Sequence, residues 1–203
     1  MTRRCLEVLA GSNCKIQIIT KSNLVTRDDD LLSKVPATVA FTITTESDML
    51  GEVLEPNAPS PTQRIRAVQD LIKAGIPVSV RIDPIIPKVN DKPEKLIKTL
   101  ADIGVKHITC STYKAKPDNW GLLCEALPKV MEQLKPLYFQ EGEKVGGSTL
   151  LPAEYRYKLL KCIRDFALGH GVQFGVCREG LHGLSTATCD GSWLMPKNVG
   201  ETP

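Results

Sequence analysis

The sequence has no run of about 18 apolar residues, the length a helix needs to cross a bilayer. Its opening, Met1-Thr2-Arg3-Arg4-Cys5, places charge before an apolar stretch too short for a signal peptide. A soluble, cytoplasmic protein with no membrane partner is expected. There is little charge of one sign: the net charge is +3 over 203 residues, which leaves nucleic acid open as a partner but gives it no support. Glycine-rich phosphate loops, Cys-x-x-Cys pairs, internal repeats, heptad runs and low-complexity tracts are all absent. The chain has three histidines, His107, His170 and His182, and no Ser/His/Asp or Cys/His catalytic arrangement can be built on residues placed so late. Seven cysteines are many, but their number is odd and they are scattered through periodic segments, which favours a reducing compartment over a disulfide framework.

What is there is a regular alternation. With 42% hydrophobic residues the chain is long enough for one sizeable core. Short β-branched runs predict strands over 15–20, 37–44, 78–82, 106–111 and 172–176. Between them, apolar spacing predicts helices over 2–10, 28–35, 46–54, 61–74, 91–103, 120–137 and 152–168, the 120–137 helix being interrupted by Pro128 and Pro136. Ser60-Pro61 is a cap and first-turn pair, and Gly75 and Gly104 are helix stops. Residues 141–148 read as a polar, glycine-rich loop, and Asp83-Pro84 as a strand terminator. This alternation means parallel strands with crossover helices. The expected fold is α/β, a partial (β/α) barrel of about five parallel strands with outer helices, against the eight strands of a closed barrel. Residues 1–176 would form the barrel and 177–203 a cysteine-containing tail that is ordered at first and frayed at its end.

Parallel folds of this kind carry their chemistry where the strands end, which directs attention to a few polar side chains. Lys21 directly follows Ile-Ile-Thr, so its ammonium either holds a carboxylate or phosphate over the sheet or is a solvated loop lysine. Thr42 and Thr44 share one face of their strand, an unusual filling for a barrel interior, or are ordinary satisfied strand threonines. Arg81 and Asp83 alternate on the third strand and need a partner, a ligand or water. Glu55 and Arg64 flank the proline-rich loop and read as a structural ion pair. Cys177 and Cys189, twelve residues apart in the tail, are candidate metal ligands that Cys110, Cys162, His170 or His182 would have to complete, or a buried or disulfide-capable pair. Cys5, Cys14 and Cys124 carry no evident chemistry.

Several segments in order carry a resemblance: Ile-Ile-Thr-Lys-Ser-Asn-Leu-Val-Thr-Arg-Asp (18–28), Phe-Thr-Ile-Thr-Thr (41–45), Leu-Glu-Pro-Asn-Ala-Pro-Ser-Pro-Thr-Gln-Arg (54–64), Ala-Gly-Ile-Pro-Val (74–78) and Asp-Pro-Ile-Ile-Pro (83–87). Together they resemble the radical S-adenosylmethionine family related to spore photoproduct lyase, often labelled DNA repair photolyase-like, over about residues 1–115. The Cys177 and Cys189 tail resembles a feature of archaeal-looking members. The resemblance implies an incomplete radical S-adenosylmethionine barrel, a 4Fe-4S cluster, and reductive cleavage of S-adenosylmethionine to a 5′-deoxyadenosyl radical, with the protein positioning the cofactor and excluding solvent. By the same resemblance Lys21 matches the lysine that contacts the methionyl carboxylate, and Thr42 falls near the hydroxyl beside the cofactor. Thr44, Arg81 and Asp83 join them as candidate cofactor-binding residues.

One departure bears on competence. The family's Cys-x-x-x-Cys-x-x-Cys loop, whose thiolates hold three irons and leave the fourth for S-adenosylmethionine, does not occur in this sequence. Met1 to Ala10 resembles the family's second crossover helix, so the cluster loop and first strands are expected upstream. The expectation is therefore the C-terminal portion of a radical S-adenosylmethionine enzyme, inactive alone and dependent on a missing N-terminal segment or partner chain. An exposed sheet edge would also promote self-association. The alternatives are a catalytically silent binding or assembly module and a metal-binding protein that uses Cys177 and Cys189. The substrate, whether nucleic acid, protein or small molecule, is left open.

Overall fold

Alternation along the strands sorts apolar and polar side chains onto opposite sheet faces, and that sorting organises the chain. The computed structural model describes residues 2–12 and 14–195. Helix α1 (Thr2–Ala10) leads into strand β1 (Ile16–Thr20), a 3-10 turn (Asn23–Asp28) and the short helix α2 (Asp29–Leu32). Strand β2 (Ala37–Thr42) is followed by α3 (Asp48–Leu54) and α4 (Pro61–Lys73), and β3 (Val78–Ile85) by α5 (Glu94–Asp102). After β4 (His107–Thr112) come α6 (Pro117–Ala126), α7 (Pro128–Phe139), the strands β5 (Glu143–Val145) and β6 (Ser148–Leu150), helix α8 (Ala153–Gly169) and β7 (Gln173–Val176). Five of these strands form one parallel sheet in the order β1-β2-β3-β4-β7, so the expected α/β architecture of five parallel strands with outer helices is what forms. No helix among the described residues is long and apolar enough to cross a membrane.

The convex face is apolar. Val39, Phe41, Val80, Ile82, Ile108, Phe174 and Val176 belong to a single core with Val68 and Leu71 of α4, Leu96, Ile97 and Leu100 of α5, and Leu160 and Ile163 of α8. Burial of such side chains, about 1.5–3 kcal/mol each, is what holds the helices on the sheet. Helix α4 starts as expected: Ser60 accepts from Gln63 N–H while the Gln63 side chain accepts from Ser60 N–H, closing a capping box with Pro61 in the first turn.

Three local readings are corrected. Strand β3 continues past Asp83-Pro84 to Ile85, because the register slips between Ile82 and Ile85; Pro84 lies in that bulge, where its missing N–H removes no ladder bond. Residues 141–148 are not only loop: β5 and β6 pair antiparallel with Val145 opposite Ser148 across Gly146-Gly147, and Gly146 takes a positive φ of 56°, as a two-residue hairpin turn requires. The interruption expected at Pro128 is present, since Pro128 opens α7 after α6, while Pro136 does not interrupt and lies inside α7 near its end. The helix read over 28–35 is shorter, a four-residue α2 (Asp29–Leu32) preceded by the 3-10 turn Asn23–Asp28. The part of the tail expected to fray lies, beyond Met195, outside the described residues.

The tail up to Met195 returns to the barrel. Thr186 N–H donates to Phe174 O (2.8 Å), and Phe174 N–H and Val176 N–H donate to the hydroxyls of Thr186 (2.9 Å) and Ser185 (3.0 Å). From there residues 188–195 cross the concave face as a strap.

Candidate functional site

The concave face is built of polar and small side chains. Thr42, Arg81, Thr109 and Gly175 are ladder partners in one row across β2, β3, β4 and β7. The row nearer the strand starts includes Ile19, Ala40 and Ser79 on β1 to β3 and the paired His107 and Gln173 on β4 and β7. At the opposite end, the C-terminal ends of the strands enclose a cavity of about 600 Å³, within the range of roughly 300–1,000 Å³ of small-molecule sites.

Every strand of the sheet contributes to its wall. Lys21 follows β1, Thr44 follows β2, Asp83 and Pro84 come from β3, Ser111 to Lys114 from β4 and beyond it, and Arg178 follows β7. Leu54, Ile86, Leu122, Leu123, Val145 and Leu150 supply the apolar wall, so α3, α6 and the hairpin all close over it. Tyr113 is anchored from behind: Tyr138 donates to its carbonyl (3.0 Å), its own hydroxyl donates to Asn119 Oδ1 (2.5 Å), and Trp120 stacks at 6.3 Å. Burial pushes the hydroxyls of Tyr113 and Tyr138 well above the ordinary phenol range.

The charged groups are held by neighbours from distant segments. Asp83 Oδ1 accepts from Ser111 Oγ (2.7 Å) and Oδ2 from Arg81. Burial opposes the Arg81 charge, but Cys177 and Asp83 outweigh it and keep the guanidinium above its usual range. Lys21 Nζ lies 2.8 Å from Glu55 Oε1, a charge contact without hydrogen-bond alignment, since the same oxygen has no aligned donor. The other oxygen of Glu55 takes the buried Arg64, which also donates to Pro59 O (2.7 Å) and Thr42 O (3.0 Å); the Glu55–Arg64 ion pair read from the sequence is present. Glu179, fully buried, receives Thr112 N–H (2.7 Å), Lys114 Nζ (2.8 Å) and Arg156 Nη1. Arg156 reaches on to Glu143 of the hairpin (2.8 Å). Asn90 bridges the strand tops by donating to Thr44 O (2.7 Å) and Pro84 O (2.9 Å).

Two buried polar atoms in the wall lack a hydrogen-bond partner, Glu55 Oε1, which has the Lys21 charge beside it, and Thr44 Oγ1, which has none. An unpaired buried hydroxyl costs about 1–3 kcal/mol, and here it stands in the lining of a cavity.

Of the candidate residues, Lys21, Thr44 and Asp83 line the cavity together. Thr42 and Arg81 lie one row below, Thr42 lending its carbonyl to Arg64 and Arg81 its guanidinium to Asp83. Cys189 packs against Gly175, two residues before Cys177, so both cysteines lie on the concave face near Arg81; burial, then the charges of Cys177 and Asp190, raise the Cys189 thiol. No described third residue joins them, since no group of three or more His, Cys, Asp or Glu that could hold a metal occurs among the described residues. Cys110 is buried in the convex core, which raises its thiol far above the usual range; Cys162 is exposed on α8, and His170 is bonded to Phe166 O. The sequence did not point to Ser111, Lys114, Asn119, Arg178 or Glu179; Asn90 after the Pro84–Pro87 stretch was a possible side-chain cap signal.

The other end of the concave face is filled. Gln17 donates to Asp190 O, Thr109 Oγ1 donates to Cys189 O (2.7 Å), and Trp193 meets the His107 ring edge-on at 6.0 Å. The glycines permit this approach: a Cβ on Gly175 would stand 2.8 Å from Cys189 Cα, and one on Gly191 would stand 2.9 Å from the Ser79 side chain. His107 is wholly buried with neither ring nitrogen hydrogen-bonded. Burial, only partly offset by Asp190, pushes its pKa down to about 4.

No family model matches this chain. It is 34% identical over 115 residues to an uncharacterized protein, ORF301, of Acidianus two-tailed virus, covering 53% of this chain and 38% of that protein. It is 24% identical over 178 residues to the radical SAM Nalpha-GlyT isomerase of Pseudomonas phage M6, covering 81% of this chain and 35% of that one. The chain thus spans less than half the length of these curated relatives. Among solved structures, a mutant of spore photoproduct lyase superposes with a TM-score of 0.67 at 16% identity, over 86% of this chain and 54% of that one. Another mutant of that lyase, holding AdoMet and dinucleoside spore photoproduct, matches with a TM-score of 0.61 over the same shares. The five-stranded sheet and its helices therefore have a partial (β/α) barrel fold, like that of the matching part of spore photoproduct lyase.

Proposed function

We propose that this chain is the cofactor-cradling C-terminal portion of a radical S-adenosylmethionine enzyme, and that the cavity at the strand ends binds S-adenosylmethionine. The observation that carries this reading is Thr44: a buried hydroxyl without a partner, in the wall of a cavity that also presents the Lys21 ammonium and the Glu55 and Asp83 carboxylates. The ligand's own chemistry suits that set. Its carboxylate matches Lys21, its ammonium and sulfonium match the carboxylates, its ribose hydroxyls match Ser111 and Thr44, and its adenine suits the apolar wall of Leu54, Ile86 and Leu123. Support also comes from the phage isomerase and from the lyase structure solved with AdoMet.

The cluster fits differently. Fe-S clusters are held by several cysteine thiolates, and the described residues assemble only the pair Cys177 and Cys189. The cluster in this reading is supplied by another segment or a partner chain. The edge of β1 suits such an addition, because it is the open edge of the sheet, Ile19 on it is 60% exposed and Val8 on the neighbouring α1 is 74% exposed. Self-association through the same edge is the competing outcome. S-adenosylmethionine bound beside a reduced cluster supplies radical chemistry; this chain's residues bind it, orient it and exclude water.

Equilibrium dialysis with S-adenosylmethionine tests the binding step without any cluster. Saturable binding, weakened about tenfold by Lys21→Ala through loss of about 1.4 kcal/mol of charge pairing, is expected. Absence of saturable binding to the wild-type chain contradicts the reading.

A further inference from the structure

The concave face carries a pair of thiols that neither the cavity nor the convex core uses. Cys177 directly follows β7, its N–H donating to Cys110 O (3.0 Å). It projects on the same face as Gly175, two residues earlier. Cys189 fills the space that a side chain at Gly175 would occupy, with its Cβ 3.4 Å from that point and its carbonyl fixed by Thr109. The chain between them is tied back onto β7 through Ser185 and Thr186. Both ends of the thirteen-residue loop 177–189 are thus fixed by the fold, and the two free cysteines share the concave face, Cys189 packed at the Gly175 position two residues before Cys177.

We propose that Cys177 and Cys189 are a redox-active dithiol whose reversible disulfide fastens the strap 188–195 across the concave face. The oxidant is a low-molecular-weight disulfide. One cysteine thiolate attacks it, forming a mixed disulfide and releasing one small thiol; the second thiolate attacks the protein sulfur of that mixed disulfide and expels the other small thiol. The protein gives up two electrons and two protons, and the oxidant takes up both as two thiols. Thiol in excess reverses the exchange. Because Arg178 lines the cavity next to Cys177, the bond also fixes a cation at the rim. The thiol chemistry stands whether or not the cavity binds S-adenosylmethionine.

The test uses the full chain equilibrated in oxidised and in reduced glutathione, followed by alkylation, trypsin digestion and mass spectrometry. Trypsin cuts after Arg178, between the two cysteines, so the disulfide joins peptide 165–178 to peptide 179–197. That cross-linked pair is expected in oxidised glutathione and is lost in reduced glutathione, with Cys5, Cys14, Cys110, Cys124 and Cys162 not joined to one another in either. Amide exchange over 188–195 is expected to slow by roughly tenfold or more on oxidation. Cys177→Ser and Cys189→Ser, with folding checked by circular dichroism, should each remove that slowing and leave the remaining thiol as a glutathione mixed disulfide. Full alkylation of both cysteines in oxidised glutathione, cross-links distributed among the other cysteines, or slowing that persists in either serine variant would overturn the proposal. If a serine variant does not fold, the wild-type peptide map decides alone.

Discussion

The two ends of the concave face differ in what fills them. At the C-terminal end, the strands open into a cavity whose charged groups are braced from behind by Arg64, Glu179 and Arg156. At the other end, the same face is covered by the chain's own tail, with Trp193 and Gly191 on His107 and Ser79. Each end holds a buried polar group without a partner, Thr44 Oγ1 above and the His107 ring below. The first borders space for a ligand, while the second is sealed under a strap. In this half-barrel one mouth is open to a cavity while the segment after β7 closes the other.

Changes that break this contrast should rank by how much buried charge or packing they disturb. Arg156→Leu leaves the Glu179 carboxylate with Lys114 as its one remaining cation, and should cost about 3–5 kcal/mol in urea denaturation. Acid should act next, on the sealed end. Unfolded His107 takes a proton near pH 6.5, while in the fold it does so only near pH 4. Between those values the unfolded state binds more protons, so stability is constant above about 6.5 and falls as pH drops through the window, by about 3 kcal/mol in all. His107→Phe should flatten that pH profile. Gly175→Ala drives a Cβ into Cys189 Cα and should cost about 1–3 kcal/mol, with a red shift of Trp193 emission as the strap lifts. Thr44→Val should change stability by less than about 1 kcal/mol, since the hydroxyl it removes has no partner to lose, yet weaken S-adenosylmethionine binding in dialysis.

What could be read beforehand follows from periodicity. The convex core was legible because Val39, Phe41, Val80, Ile82 and Ile108 alternate with small or polar residues, and the same alternation exposed Thr42, Arg81 and Asp83 as inward-facing. The Gly146-Gly147 hairpin carried a turn signal, but its strands of three residues were too short to show a period. The Glu179 hub was not legible, because Thr112 and Lys114, Arg156, and the Glu143 that Arg156 also holds lie on three segments that only the packed fold brings together. Nor was the return of the tail: residues 178–195 have no regular strand or α-helix, and their position rests on the Glu179 hub and on scattered hydrogen bonds to Gln17, Thr109, Phe174 and Val176. Cys177 and Cys189 were visible as a pair by type; their sharing the concave face near Arg81 depends on that return.

The account's central claim is that the open end of the concave face is the ligand-binding end. Amide hydrogen exchange of the whole chain with and without S-adenosylmethionine tests it most directly. Added protection is predicted around Thr44 to Glu55 and Ser111 to Lys114, with residues 188–195 unchanged. Protection confined to the strap, or none at either end at saturating S-adenosylmethionine, would contradict it.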